Sequence, residues 1–228
     1  AGLATDGDAD RIGLYNSKGE FVDSHHIILL LLLYLHKYKK LKRKVVVAAS
    51  TTPRVVKLAE KWGLDHDTVK VGFKYIAGQM VTEDVLIGGE ESGGIAIKGH
   101  IPERDGIWMG LVLFEYMATS GKSLEELINE VYELVGEFKY CRDDLHLDEK
   151  LKNSIVKKCN NNEFSSFGEF KVIKVDKIDG FKFILKDDQW LMIRPSGTEP
   201  VLRCYAESKD LDGAKAILAA CKTAIGVS

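Results

Sequence analysis

The feature that constrains this chain most is an uninterrupted apolar run at residues 27–35, Ile-Ile-Leu-Leu-Leu-Leu-Leu-Tyr-Leu, bounded by His25-His26 and His36-Lys37. A helix of this composition has no polar face to turn toward water, so it must be covered on every side. Spanning a bilayer takes about 20 apolar residues, and the run is far shorter. It therefore reads as a helix at the centre of a folded core, capped by Asp23 or Ser24 and running to about residue 40. The 228 residues are enough to build layers around it, since a chain of this size buries roughly 70% of its unfolded surface.

The rest of the first half supplies those layers. Residues 12–15 and 20–22 flank the turn Asn16-Ser17-Lys18-Gly19 and read as a hairpin. A fully buried strand is expected at 45–49, a short strand at 68–71 and an apolar strand at 85–88. Helices are expected from Pro53 to near Gly63 and from about Phe73. Residues 105–119 form a helix whose apolar positions (Ile107, Trp108, Leu111, Val112, Phe114, Met117) run almost all round, the pattern of a buried helix. Ser123-Leu124-Glu125-Glu126 is a capping box that opens a helix to about Val135. Strands alternating with helices give an α/β layer with much parallel pairing. After Gly136 the rhythm changes. Strands are expected at 137–146, 171–178, 181–186, 190–193 and 201–207, helices at 149–159 and 211–225, and Asp179-Gly180 is a strong hairpin turn. The expected fold is a three-layer α/β domain followed by an α+β domain, an antiparallel sheet with helices on one face.

The formal net charge of -2 gives no bulk attraction to nucleic acid or an anionic membrane. The four cysteines (Cys141, Cys159, Cys204, Cys221) form no CxxC pair and no zinc-ligand spacing. Free thiols in a reducing cytoplasm are expected. The chain opens at Ala1 without a methionine and runs directly into an acidic motif, so the natural protein is expected to extend upstream.

Three motifs carry chemistry. In Asp6-Gly7-Asp8-Ala9-Asp10-Arg11 three carboxylates alternate with small residues. They can converge only around a counter-charge, and a hard divalent cation supplies one. A solvated acidic turn is the plain alternative. A calcium EF-hand fails, because its glycine position holds Arg11 and its glutamate position Ser17. Magnesium with water and a phosphate oxygen is preferred. Gly88-Gly89-Glu90-Glu91-Ser92-Gly93-Gly94 follows an apolar strand and carries groups able to bind sugar hydroxyls, or is simply a polar strand-to-strand turn. Shortly after it, Lys98, His100 and Arg104 gather in one loop, and His100 suits proton transfer near neutral pH. Arg194-Pro195-Ser196-Gly197-Thr198-Glu199-Pro200 combines a planar guanidinium, two hydroxyls and a glycine, the donor types a phosphate needs, on a loop stiffened by two prolines. The alternative there is a rigid hairpin with a surface arginine.

The ordered trio DGDADR, GEESGG, RPSGTEP resembles the α-D-phosphohexomutases (the phosphoglucomutase/phosphomannomutase family) over nearly the whole chain. The resemblance implies a four-domain parent. Residues 1–20 would end its second domain with the metal loop, 21–135 would form the third, α/β sugar-binding domain, and 136–228 the fourth, α+β phosphate-binding domain. It implies interconversion of hexose 1-phosphate and hexose 6-phosphate through a phosphoserine and a hexose 1,6-bisphosphate. Carried over by motif, Asp6, Asp8 and Asp10 would hold Mg2+, and Arg11 would lie beside the phosphoserine. Glu90 and Ser92 would bind the sugar's 3- and 4-hydroxyls. Arg194, Ser196, Gly197, Thr198 and Arg203 would grip the phosphate that is not reacting, with Lys74 facing the same cleft. The implied ligands are glucose 1-phosphate, glucose 6-phosphate and glucose 1,6-bisphosphate, and the implied partner is the missing N-terminal domains of the same chain. The Thr-Ala-Ser-His-Asn-Pro type motif is absent from this sequence, so the chain alone is expected to bind without catalysing, either as the C-terminal part of such an enzyme or as a non-catalytic sugar-phosphate-binding module. The histidine that ends the sugar loop in some members is Gly94 here, which leaves His100, Lys98 or Arg104 as candidates for the acid/base and substrate contacts. The segment His100-Ile101-Pro102-Glu103-Arg104-Asp105-Gly106 resembles the glucose-preferring branch, and aminosugar mutases often show glutamine where Glu91 stands, so the resemblance ranks glucose phosphate above mannose phosphate, with glucosamine phosphate last.

Overall fold

The computed structural model describes residues 1–197 and 199–227. The chain divides into two compact units, Ala1–Gly136 and Glu137–Ser228.

In the first unit β1 (Gly2–Thr5), β2 (Ile12–Tyr15) and β3 (Phe21–Val22) form a small antiparallel sheet. The apolar run folds as expected. Asp23 accepts the His26 amide at 3.1 Å and caps α1 (Ser24–Leu33), every residue of which is buried. The helix then widens into a π-helical turn (Tyr34–Tyr38), where the Lys39 amide reaches Tyr34 O at 3.0 Å.

Next come β4 (Lys44–Ala48), α2 (Pro53–Lys61), β5 (His66–Val69), α3 (Phe73–Thr82), β6 (Val85–Gly89), β7 (Ile95–Ile97), α4 (Gly106–Ser120) and α5 (Leu124–Val135). The sheet order is β5-β4-β6-β7, with β4 parallel to β5 and β6 and only β7 antiparallel. Two consecutive glycines set the layer spacing at the end of β6. Successive strand residues point to opposite faces. A Cβ on Gly88 would lie 2.2 Å from Ile76 of α3, and one on Gly89 would lie 2.6 Å from Ile28 of α1. The missing side chains let a helix settle against the sheet from each face.

Two expectations need correction. The strand expected at 68–71 runs His66–Val69, in register with β4 from Val45↔His66. The helix expected to be buried all round is not. Met109, Val112, Leu113 and Tyr116 of α4 are buried, while Ile107 and Leu111 are each 53% exposed and Trp108 and Phe114 each 38%. Apolar residues are common on surfaces, so composition alone overstated the covering of this helix.

The second unit contains β8 (Lys139–His146), α6 (Glu149–Asn160), β9 (Ser166–Phe167), β10 (Phe170–Asp176), β11 (Phe181–Leu185), β12 (Trp190–Pro195), β13 (Val201–Ser208) and α7 (Leu211–Ile225). Its sheet is antiparallel throughout, in the order β8-β13-β12-β11-β10-β9. Alternate residues Phe183, Leu191, Ile193, Leu202, Cys204 and Ala206 pack with Ile155 and Cys159 of α6 and with Ile217, Leu218 and Cys221 of α7. Both helices therefore cover the same face. All four cysteines are free thiols, with Cys204 and Cys221 sulfurs 4.0 Å apart, twice a disulfide bond length. Among the described residues no helix is long and apolar enough to cross a membrane.

Candidate functional site

The acidic loop connects β1 to β2, whose last pair is Thr5↔Ile12. Ala9 adopts a left-handed φ of 60°, and its amide bonds Asp6 O at 3.1 Å, curling the loop. The curl gathers Asp6, Asp8 and Asp10 so that one oxygen of each lies within 4.8 Å of the others. Two arginines brace the cluster. Arg11 Nε is 2.5 Å from Asp6 Oδ2, and Arg104 donates a terminal nitrogen to Asp10 Oδ2 at 2.6 Å. Partial burial pushes the Asp6 carboxyl up, but the Arg11 amide and guanidinium outweigh it and hold Asp6 below the usual carboxylate range. The hydrogen bond to Asp6 in turn raises Arg11. Asp10 Oδ1 is buried and accepts no hydrogen bond among the described residues, with Arg11 Nε 3.5 Å away. Three hard oxygen donors, one of them unsatisfied, fit a magnesium ion.

Glycines bring two further segments against this loop. Gly93 has φ +98°, and a Cβ there would lie 2.7 Å from Ile12 O. Its carbonyl accepts the Ile12 amide at 3.1 Å, and Arg11 and Gly94 form an antiparallel bridge. Gly106, at the start of α4, donates to Ala9 O at 2.9 Å, and its absent Cβ would stand 2.6 Å from Arg11 O. The acidic loop, the glycine-rich loop and the α4 N-terminus thus converge by main-chain contact.

The glycine-rich loop connects β6 to β7, so it is a strand-to-strand turn with particular partners. Glu90 is 5% exposed and accepts the Gly72 amide at 2.8 Å. Gly72 caps α3, which places this carboxylate at a helix N-terminus, where the dipole favours negative charge. Glu91 accepts the Ser50 hydroxyl, and Ser92 is exposed. The loops carrying Ser50, Gly72 and Glu90 all follow the carboxyl ends of β4, β5 and β6, where open α/β sheets bind ligands. Lys74, in the first turn of α3, is exposed with its ammonium 5.0 Å from the centre of the Tyr75 ring.

The three candidates of the next loop separate. Arg104 bridges the cluster: besides Asp10, its guanidinium lies 5.6 Å from the Phe73 ring centre, and Gly94 gives its Cδ room. His100 stacks on Trp108 at 4.6 Å and shares a 2.8 Å contact from Nε2 with Asp105 Oδ2. Asp105 also caps α4 through the Trp108 amide at 2.8 Å. That amide, together with His100, outweighs burial and keeps its carboxyl below the ordinary range. Lys98 is not brought to the cluster. It pairs with Asp84, which precedes β6, whereas the glycine-rich loop follows β6. The antiparallel return of β7 carries Lys98 back along the sheet, its amide bonding Leu86 O at 2.9 Å.

In the second unit Arg194 and Arg203 are direct register partners on β12 and β13. The loop between them is closed by the Ser196 amide on Val201 O at 2.9 Å and the Glu199 amide on Ser196 Oγ at 3.3 Å. Ser196 is buried and Gly197 exposed; Thr198 lies outside the described residues. Arg194 Nε donates to Asp179 at 3.0 Å, and a terminal nitrogen of Arg203 donates to Glu199 at 3.2 Å. Sequence reasoning missed Ser50, Gly72, Asp105 and Asp179 as supports of candidate residues. Only Asp105, an acidic residue before an apolar helix, and Asp179, in a hairpin dipeptide, carried a local signal, and that signal was structural.

Comparison with known proteins agrees with the motif order. The sequence model for phosphoglucomutase/phosphomannomutase alpha/beta/alpha domain III matches residues 23–135, and that for the family's C-terminal domain matches residues 151–223. A phosphoglucomutase/phosphomannomutase of Thermococcus kodakarensis is 30% identical over 95% of this chain and 45% of its own length. A phosphoglucosamine mutase of Clostridioides difficile is 31% identical over 92% and 43%. A crystal structure from Thermus thermophilus, described as a phosphomannomutase, superposes with a TM-score of 0.80 at 32% identity, over 98% of this chain and 45% of that one. The chain spans about half the length of the curated relatives it matches.

Proposed function

The chain belongs to the phosphoglucomutase/phosphomannomutase family, and from that premise we propose that it is the part of a phosphohexomutase that binds metal, sugar and phosphate. The reaction is transfer of a phosphoryl group between O1 and O6 of a hexose by way of a phosphoserine and a hexose 1,6-bisphosphate. In this reading residues 1–20 close one domain, 21–135 form the sugar-binding domain and 136–228 the phosphate-binding domain. The observation that carries it is the convergence of Asp6, Asp8 and Asp10 with the Glu90–Ser92 turn through the Arg11–Gly94 bridge.

The roles follow from chemistry. Asp6, Asp8 and Asp10 would hold Mg2+, which would supply charge neutralisation for the phosphoryl group in transfer. Arg11, kept in place by Asp6, faces the phosphoryl donor. Glu90 accepts from a sugar hydroxyl while the Gly72 amide fixes its other oxygen, and Ser92 makes a second hydroxyl contact. Lys74 and Arg104 add positive charge at the sugar loop, with Arg104 tied to Asp10. His100, aligned by Asp105 and Trp108, moves the proton of the attacking hydroxyl. Lys98 is left out, since Asp84 engages it. Arg194, Arg203, Ser196, Gly197 and Thr198 grip the phosphate that does not react. This sequence contains no phosphoserine motif, so the chain alone binds without turning over. Free thiols suit a reducing, cytoplasmic setting.

Glucose 1-phosphate is the proposed ligand. A second reading, an aminosugar phosphate, is favoured by the relative named phosphoglucosamine mutase. Calorimetric titration of the chain with glucose, mannose and glucosamine 1-phosphates in magnesium separates them. Glucose 1-phosphate is expected to bind tightest; tighter binding of the glucosamine ester would replace the first reading with the second.

A further inference from the structure

Arg194 and Arg203 sit directly opposite each other on neighbouring strands, a pairing in which like charges repel. Each guanidinium has a carboxylate of its own, but the two arrangements differ. Arg203 reaches Glu199 at 3.2 Å and lies 3.8 Å from Asp144, a residue already held by Arg142 at 2.6 and 2.5 Å. Arg194 is held by Asp179 through Nε at 3.0 Å, and the two side chains are 18% and 24% exposed.

Asp179 is itself fixed. The next residue, Gly180, has φ +80°, and a Cβ there would lie 2.9 Å from Ile193 O and 3.1 Å from Arg194 Cα. Glycine lets the turn that carries Asp179 press on the backbone that carries Arg194. A carboxylate on Nε fixes the guanidinium plane while leaving its terminal nitrogens to form the fork that matches a phosphate.

We propose that Asp179 is a positioning residue for oxyanion recognition by Arg194, holding the guanidinium in the orientation that grips phosphate. The inference rests on the reading of the 194–200 loop as a phosphate site. A carboxylate beside a phosphate site otherwise only repels the ligand, so positioning and simple counter-charge predict opposite signs. The test is calorimetric titration of the chain with inorganic phosphate and with glucose 1-phosphate, for wild type, Asp179→Ala, Asp179→Asn, Arg194→Ala and the Asp179→Ala/Arg194→Ala double variant. Asp179→Ala is expected to weaken binding roughly fivefold despite removing a negative charge. Asp179→Asn, which keeps the shape and an acceptor for Nε, recovers most of the loss. On the Arg194→Ala background Asp179→Ala causes no further weakening. Equal or tighter binding by both Asp179 variants, with Arg194→Ala still defective, overturns the positioning role and leaves the phosphate site standing. Wild-type affinity in Arg194→Ala overturns the phosphate site itself.

Discussion

Replacing Gly93 with alanine tests the main-chain convergence that builds the metal and sugar loops into one cluster. Two costs can be worked out. The left-handed φ of +98° costs an L-residue roughly 1–2 kcal/mol. The new Cβ would also lie 2.7 Å from Ile12 O and 3.1 Å from Ile12 N. These are backbone atoms that cannot rotate away, and overpacking of this kind adds about 1–3 kcal/mol. Gly99 provides the control: its φ is +93°, and nothing lies within 4 Å of its Cβ position. Gly99→Ala should therefore cost only about 1–2 kcal/mol, and Gly93→Ala about 2–5 kcal/mol, a urea midpoint lower by roughly 1–2 M. Unfolding is followed by tryptophan fluorescence in a Trp190→Phe background. That leaves Trp62 and Trp108 of the three tryptophans, both in the first unit. If the two alanine variants unfold at the same midpoint, the contact with Ile12 is not the constraint argued here.

Three shorter predictions concern the same unit. Asp105 has a depressed carboxyl pKa in the folded state, so its contribution is present above the unfolded carboxylate value near pH 4 and is lost as pH falls through the lower folded value. Asp105→Asn should flatten the stability profile below about pH 4, and an unchanged slope in urea titrations would remove that linkage. Magnesium should raise the unfolding midpoint of the wild type, and Asp8→Asn should bind it at least roughly tenfold more weakly, about 1.4 kcal/mol; an equal magnesium response rejects the Asp8 ligand. Lys98→Met should leave glucose 1-phosphate affinity unchanged and barely move the unfolding midpoint, since it breaks a largely exposed ion pair. A large affinity loss would return Lys98 to the site.

The sequence made the layers legible because periodicity and burial coincide there. The run at 27–35 has one physical solution, and the capping box at Ser123 was matched by hydrogen bonds in both directions. Very short strands such as Ile95–Ile97 and Ser166–Phe167 gave no period to read. The strand-to-strand alternative at 88–94 gave no direction for β7, which doubles back and carries Lys98 away from Glu90. The exposed stripe of α4 escaped because burial of an apolar residue depends on what faces it. Asp6, Asp8 and Asp10 were legible as a set, since carboxylates this dense need a counter-charge. Arg104 as the link between Asp10 and Phe73 was not, because those partners lie far away along the chain.

The most direct measurement is the affinity of the chain, in magnesium, for glucose 1-phosphate and for inorganic phosphate, in wild type, Glu90→Gln and Arg194→Ala. Arg194→Ala is expected to weaken both ligands, while Glu90→Gln weakens the sugar phosphate and spares phosphate alone. Unchanged affinity for glucose 1-phosphate in either variant would contradict the assignment of sugar and phosphate sites.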